Sequence, residues 1–477
     1  MIRGEGVYLF DAEGRRYLDF SAQHSAAILG HAHPEMVEHL SAQLRRLVGV
    51  SPAFLTRERA LLAERLAATM SDPAPAGGRP PSYEVAFGVT GSDAVELALK
   101  LAKLARGGGA IVGLWRAFHG ATAAALAASG KPEAELLNPA LRELLPGGFL
   151  HASPPYCYRC DFGATYPECA WRCLGDLEER LAQAGQLPLP APLPHPEWPA
   201  SPGRPGRPPA AVIAEPILTG GGVIVPPPGY LRALRALCDR TGALLILDEV
   251  VTGMGRTGRP WAWQQDGVAP DILVAGKGLT AGYVPGSAVL MREELAGRIE
   301  AAGAALHPHT HAGYPLMLAA ALKTLDIVER DRLAVRAAAL GEHFGRLLRE
   351  LQARHPCIGD VRGRGLLWGI ELIRPAPDGA PGRNAAGAGW RTGRRHGRGW
   401  LPHHRRVPEP AYEPAARVFD ALLDRGLIVE VENHPLSGSA VLILHPPLVV
   451  EKRHLDDATA ILDEVLEARW GRGVSTP

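Results

Sequence analysis

The 477-residue chain has neither a long apolar run nor an excess of either charge. No stretch approaches the roughly 20 apolar residues that a membrane-spanning helix needs, and the opening MIRGEGVYLF carries no secretory hydrophobic segment. With 51 Lys and Arg against 50 Asp and Glu, the net charge of +1 argues against a nucleic-acid-binding surface. We therefore expect a soluble cytoplasmic enzyme that binds neither membrane nor nucleic acid. Its length favours two or three domains.

Two short apolar runs, residues 243–247 and 271–275, end in charged residues. The first is followed by Asp248 and Glu249, and the second by Lys277 between two glycines. Both runs are typical of buried parallel strands, whose carboxyl ends carry the ligand site in a doubly wound sheet. A carboxylate there can keep a pyridinium nitrogen protonated, and a lysine can hold an aldehyde as a Schiff base.

The surrounding motifs, DEVVTGMGRTG and PDILVAGKGLTAGYVPGSAV, resemble those of the class III aminotransferases of pyridoxal-phosphate fold type I. Similar pieces recur from about Gly6 to the end of the chain. The resemblance implies an α/β fold, with a large doubly wound domain around a mixed, mostly parallel seven-stranded sheet and a smaller C-terminal α/β domain. We expect residues 1–50 to belong to the small domain as its N-terminal segment, 51–314 to form the large cofactor-binding domain, and 315–477 to form the small domain.

A predicted strand at residues 82–87 leads through Gly91 and Ser92 into the helix AVELALKLAKLA. Free backbone N–H groups and the positive end of the helix dipole make such a turn an anion site, although alone it is more often a simple helix cap. No GKS or GKT follows the glycines, which excludes a P-loop. Because GSDAVELALKLAK is similar to the family's phosphate-binding motif, the resemblance assigns Gly91 and Ser92 to the cofactor phosphate.

Four further residues are implied to surround the cofactor ring. In WRAFHGAT the resemblance predicts that Phe118 stacks on one face of the ring, with His119 beside it, and that Val250 presses on the opposite face. Glu215, at the end of the apolar run AAVIAEPI, would lie near the ring and order the site. Taken singly, the phenylalanine could be core packing and the glutamate a helix cap.

The resemblance also implies an obligate homodimer. The family stretch that corresponds to HPHTHAGYPL supplies a threonine to the cofactor phosphate of the other subunit, and Thr310 is the matching residue.

Near the N-terminus, an amphipathic helix is predicted whose apolar residues share one face. These residues are Met36, Val37, Leu40, Leu44 and Leu47.

The implied reaction is transamination by pyridoxal 5'-phosphate, with Lys277 and Asp248 as catalytic residues and no catalytic metal. An amine or an ω-amino acid would donate the amino group, and pyruvate or 2-oxoglutarate would accept it. Val251 and Ile443 replace a glutamine and a carboxylate-binding arginine of other members, which favours ω-amine donors. Decarboxylation, racemisation and elimination on the same fold remain alternatives, as does a non-catalytic scaffold.

Three stretches lie outside the resemblance. The loop 156–173 contains Cys157, Cys160, Cys169 and Cys173, whose spacing fits either a structural zinc site or reduced, unliganded thiols. Residues 187–209 are rich in proline and predict an extended surface excursion. Residues 374–411 are rich in Gly, Arg and Pro, and we expect a disordered insertion there.

Overall fold

The computed structural model describes residues 1–71, 81–131, 143–185, 208–301, 309–374, 410–434 and 438–470. Most of the two predicted insertions, at 187–209 and 374–411, therefore lies outside the described residues. Among the helices of the described ranges, none is both long and apolar enough to cross a membrane.

Strands and helices alternate through most of the chain. In chain order the strands are β1 Arg3–Glu5, β2 Tyr8–Phe10, β3 Arg16–Asp19, β4 Tyr83–Gly88, β5 Ile111–Leu114, β6 Phe149–Ala152, β7 Ala211–Ala214, β8 Leu244–Asp248, β9 Ile272–Ala275, β10 Ser287–Arg292, β11 Ile358–Arg364, β12 Leu367–Leu372, β13 Leu427–Ile428, β14 Glu430–His434 and β15 Ser439–Leu444. The principal helices are Pro34–Arg46, Arg57–Thr69, Gly91–Ala105, Ala123–Ala128, Arg172–Ala184, Tyr230–Thr241, Glu293–Ala301, Pro315–Arg330, Leu333–Arg354, Tyr412–Asp424 and Lys452–Trp470.

The large sheet confirms the predicted fold class. Its seven strands lie in the order β4-β10-β9-β8-β7-β5-β6. Strand β10 is antiparallel to both of its neighbours, and the other pairs are parallel. The sheet core is apolar because helices cover both faces: Ile246 packs in the cluster that includes helix Gly91–Ala105, and Leu245 and Leu247 pack in the cluster that includes helix Tyr230–Thr241.

Two smaller four-stranded sheets complete the described fold. One has the order β11-β12-β15-β14, and the other has the order β1-β2-β3-β13. Strand β13 pairs parallel with β3, so the N-terminal hairpin and the C-terminal part of the chain share a sheet. The predicted domain boundaries at residues 50 and 314 stay predictions.

Strands β11 and β12 form a hairpin, in which Val361 pairs with Ile370 and Arg364 with Leu367. Gly365 makes the turn with a φ of +56°, a conformation that favours glycine. A Cβ atom at this position would lie 2.6 Å from the carbonyl oxygen of Arg256, so the turn is set by docking against a distant loop.

Candidate active site

Lys277 and Asp248 come together at one edge of the large sheet. Strands β8 and β9 are parallel neighbours, and Asp248 pairs in register with Val274, three residues before Lys277. Asp248 is 5% exposed. The edge therefore presents a buried carboxylate and an amine side by side, as expected for the carboxyl ends of parallel strands.

Lys277 has two features that are unusual for a structural lysine. Its φ of +44° is in the left-handed region, which is uncommon for a residue other than glycine and concentrates at functional sites. Within the described ranges, its Nζ has no hydrogen-bond or ion-pair partner. Burial lowers the pKa of the amine, while Glu430, Glu215 and Asp248 act in the opposite direction. A larger fraction of the amine is thus neutral, the form that attacks a carbonyl group.

A hydrogen bond from the neighbouring histidine orients Asp248. Asp248 Oδ2 lies 2.8 Å from His119 Nδ1, and Asp248 Oδ1 accepts from the backbone N–H of Val250 at 3.1 Å. The backbone N–H of His119 donates to Ser129 Oγ at 2.8 Å. His119 Nε2 is buried and has no partner among the residues that the structure describes. A bound group with a polar atom would satisfy it.

Glu215 holds the loop that carries Phe118. Its carboxylate accepts from the backbone N–H of Phe118 at 3.0 Å and from that of Thr219 at 2.9 Å. Burial raises the pKa of Glu215 to about 7. The Phe118 side chain itself is 45% exposed, so its ring is available to a flat ligand.

Helix Gly91–Ala105 points its N-terminus towards this edge. Thr90 caps the helix, because its Oγ1 accepts from the backbone N–H of Asp93 at 3.1 Å. The N–H groups of Gly91 and Ser92 belong to the first turn and cannot bond within the helix, and no described side chain accepts from them. Free N–H groups at a helix N-terminus can bind an anion, and the binding of phosphate by Gly91 and Ser92 stays a prediction.

Glycines bring the loops of this site into close contact. Gly120 has a φ of +134°, and a Cβ atom there would lie 2.5 Å from Ser92 Oγ. A Cβ atom on Gly91 would lie 3.2 Å from Val250 Cγ1, and one on Gly276 would lie 3.4 Å from the same atom. Val250 therefore lies between the Gly91 turn and the Lys277 turn.

Thr310 lies on the surface of the chain. Its neighbour His309 approaches the first turn of helix Gly91–Ala105 of the same chain, with Nε2 at 3.5 Å from Asp93 Oδ2. The exposed position is compatible with a contact to a second subunit. The role of Thr310 across an interface stays a prediction.

Sequence reasoning missed a carboxylate on β14. Glu430 Oε1 accepts from Ser21 Oγ at 3.0 Å and lies 2.5 Å from His24 Nδ1, and Glu430 Oε2 lies 3.1 Å from His445 Nε2. Burial acts to raise the pKa of Glu430, but the hydrogen bond from His445 and the charge of His24 hold it below its ordinary value. Strand alternation alone could have placed Glu430 on one face of β14, but not beside the segment that contains Ser21.

The four clustered cysteines are all free. Burial raises the pKa of Cys157 to about 11 and that of Cys173 to about 12, which disfavours their thiolate forms. In the described part of the chain, no group of three or more His, Cys, Asp or Glu side chains is arranged so that it could hold a metal ion.

The donor set fits pyridoxal 5'-phosphate. Backbone N–H groups and the Ser92 hydroxyl suit a phosphate, the Asp248 carboxylate suits a pyridinium nitrogen, and the unpaired Lys277 amine suits an aldehyde. The partnerless Nε2 of His119 and the exposed Phe118 ring leave a polar atom and an aromatic face available to the ligand.

Comparisons with known proteins identify the family. The family model described as Aminotransferase class-III matches residues 1–184 and 206–466. Diaminobutyrate--2-oxoglutarate aminotransferase of Rhizobium meliloti is 34% identical over 98% of this chain and 87% of its own length. Isoleucine 2-epimerase of Lentilactobacillus buchneri is 30% identical over 99% of this chain and 90% of its own. Among solved structures, a PLP-bound amine transaminase from an uncultivated Pseudomonas species has a TM-score of 0.77 and 30% identity, covering 98% of this chain and 94% of that one.

Proposed function

The chain belongs to the class III aminotransferases, which are pyridoxal-phosphate-dependent enzymes, and we propose that it transfers an amino group from an amine or an ω-amino acid to a keto acid such as pyruvate or 2-oxoglutarate. One observation carries the proposal: the Lys277 amine, which has no partner among the described residues, lies just after β9, beside the buried carboxylate of Asp248. When bound, the cofactor supplies an electron sink that weakens bonds at the substrate carbon.

The proposal gives Lys277 two roles. Its amine would hold the cofactor at its aldehyde carbon, and once the substrate has freed it, the same amine would take a proton from the substrate carbon and return one. The lowered pKa of the buried amine supports both roles, because each requires the neutral form. Asp248, held by His119, keeps the pyridine nitrogen protonated.

The remaining residues bind and orient the cofactor. Gly91 and Ser92 bind its phosphate at the helix N-terminus, and Phe118 and Val250 border the two faces of its ring. Glu215 acts through Phe118, whose backbone N–H it accepts.

We also propose a homodimer, to which Thr310 contributes across the interface. Along helix Pro34–Arg46, Met36 and Leu40 are buried, whereas Val37 and Leu44 are exposed. Seven exposed large apolar side chains lie close together along this part of the chain, a patch that monomeric proteins rarely leave open. They are Val37, Leu44, Leu47, Val48, Phe54, Leu55 and Leu61.

The dimer predicts a matched pair of results. Leu55 is 85% exposed, and we expect Leu55→Asp to shift the protein from dimer to monomer in analytical ultracentrifugation, with loss of transaminase activity. Val335 is 54% exposed outside the patch, and Val335→Asp should change neither property. A wild-type protein that sediments as an active monomer would contradict the proposal.

Racemisation is the second candidate function, because relatives named as an isoleucine epimerase and a leucine/methionine racemase match almost the whole chain. The same lysine and aspartate serve both reactions, so residue identity does not separate them.

The cytoplasmic location stays a prediction.

The decisive experiment follows the visible absorbance of the cofactor-loaded protein. We expect amines or ω-amino acids to bleach its band, and pyruvate or 2-oxoglutarate to restore it with release of the aminated acceptor. Inversion of an α-amino acid without bleaching and without any acceptor would instead identify a racemase. A purified protein that binds no cofactor would refute both.

A further inference from the structure

The small-sheet wall of the active site carries glutamates. In the antiparallel pair of β14 and β15, Glu430 lies opposite Ile443 and Glu432 lies opposite Val441. Directly paired residues project from the same face of a sheet, so these four side chains share one face. Ile443 and Val441 pack in an apolar cluster whose neighbours include Val251, next to the proposed ring contact Val250. The face therefore borders the cofactor site.

Glu430 is also joined to the segment that covers the Lys277 turn. The residues at 22–25 all have positive φ, and the structure packs this turn against the loop after Lys277. Gln23 Oε1 lies 2.5 Å from the position that a Cβ atom on Gly282 would take. The hydrogen bonds of Glu430 to Ser21 and His24 place its carboxylate at this same junction.

The two glutamates differ in how their charges are balanced. Glu432 Oε2 lies 2.7 Å from Lys131 Nζ, so its charge is paired. No lysine or arginine among the described residues pairs with Glu430, whose partners are Ser21 and two histidines. His445 uses Nε2 for this contact, and its buried Nδ1 has no partner within the described ranges.

From this arrangement we propose that Glu430 is a specificity-determining residue that binds a second ammonium group on the amino donor, so that the preferred donors are terminal diamines or diamino acids. The inference rests on the proposed transaminase function. A partly buried carboxylate that stays ionised and that no described lysine or arginine pairs with favours a cationic ligand over an apolar or anionic one. The wall around it, with Ile443 and Val441, accommodates a methylene chain.

A short keto acid does not conflict with this assignment. Pyruvate carries its carboxylate on the carbon next to the reacting one, so the acceptor need not extend to Glu430. Relative to a terminal diamine, a donor whose far end carries only a carboxylate, such as a simple ω-amino acid, should be used less well, and pyruvate should be a better acceptor than 2-oxoglutarate. The chain therefore should discriminate between donors by the charge at the distal end.

The test compares isosteric donors. Cadaverine and hexylamine differ by a terminal ammonium in place of a methyl group. In wild-type holoenzyme we expect cadaverine to bleach the cofactor band with the higher kcat/KM. In Glu430→Gln we expect this preference to fall by about tenfold or more, mainly through KM, while the rate with hexylamine is unchanged or higher. Glu432→Gln is the matched control, because Lys131 already neutralises Glu432, and it should keep the preference.

Other outcomes have defined meanings. Equal losses with both donors in Glu430→Gln, or a wild-type preference for hexylamine, would overturn the assignment. If Glu430→Gln does not fold, Glu430→Asp provides the test, because it keeps the negative charge. We expect this variant to keep a reduced preference for cadaverine over hexylamine. Complete loss of the preference would contradict a role of Glu430 in binding. If the loaded enzyme turns over no donor, the proposed function fails. Titration calorimetry of the same holoenzymes then still tests Glu430, since equal affinities for cadaverine in wild type and Glu430→Gln would refute it.

Discussion

Replacing Lys277 with methionine should lower transaminase turnover by about 10³-fold or more, because one change removes both the nucleophile and the base. Methionine keeps the length of the side chain and loses only the amine. We expect the variant to bind the cofactor more weakly and without the visible band of the covalently held form. Absorbance spectra and single-turnover rates with the best donor measure both effects.

Although Lys277→Met should lower activity, we expect it to raise the stability of the cofactor-free protein. Burial lowers the pKa of Lys277 in the folded chain, so at neutral pH the unfolded chain binds the proton more readily than the folded chain does. The contribution of Lys277 to the free energy of unfolding therefore decreases as the pH falls below the ordinary pKa of lysine. Without the amine, the cofactor-free protein should gain about 1 kcal/mol or more in urea unfolding at neutral pH.

A matched control separates the site from a general effect of losing lysine. Lys452 is exposed at the start of helix Lys452–Trp470, and Lys452→Met should alter neither turnover nor stability. Turnover within tenfold of wild type in Lys277→Met would show that another group forms the bond to the cofactor. A cofactor-free variant less stable than wild type would show that the amine has a structural role.

The parts of the fold that could be predicted are those set by local pattern. Strands β7, β8 and β9 are continuous apolar runs, because parallel strands covered on both faces bury every side chain. The charges that follow β8 and β9 then fall at the same edge of the sheet. Asp248 and Lys277 could thus be paired from sequence, and Gly91 and Ser92 were found from a helix start.

The parts that could not be predicted depend on contacts between distant segments. The turn at 22–25 consists of residues with no preference for positive φ, and it is held partly by Asp19, which accepts from the N–H of Ser21 at 3.0 Å and of Ala22 at 2.9 Å. Glu430 joins the site only because β14 pairs with β15 and its side chain meets that turn. Neither contact leaves a periodic signal in the sequence.

The exposure of the apolar residues near the N-terminus also depends on contacts that the local sequence pattern does not show. Periodicity identified helix Pro34–Arg46 and its apolar positions, but not which of them the chain itself buries. Met36 is fully buried, whereas Val37 is 48% exposed. Hydrophobicity alone does not distinguish a residue buried in the core of one chain from a residue buried between two chains, because apolar side chains serve in both places.

Asp248→Asn should lower the rate of the first half-reaction by roughly 10²- to 10⁴-fold. This range corresponds to a fall of a few units in the pKa of the cofactor ring nitrogen when the buried negative charge is removed. The asparagine preserves the size of the side chain and an oxygen that accepts from the N–H of Val250. It removes the negative charge that keeps the cofactor ring nitrogen protonated, so binding of the cofactor should weaken less than catalysis does.

The adjacent carboxylate provides the control for that result. Glu249 is 1% exposed and accepts from Thr252 Oγ1 at 2.6 Å and from the backbone N–H groups of Ala262 and Trp263 at 2.9 Å each, so it orders a loop and does not face the site. Glu249→Gln should lower the stability of the protein by about 1 to 3 kcal/mol while the rate per folded, cofactor-bound molecule stays near wild type. If instead Asp248→Asn keeps its rate within threefold and Glu249→Gln loses it, the carboxylate that serves the cofactor is Glu249, and the ring would have to approach β8 from the opposite side.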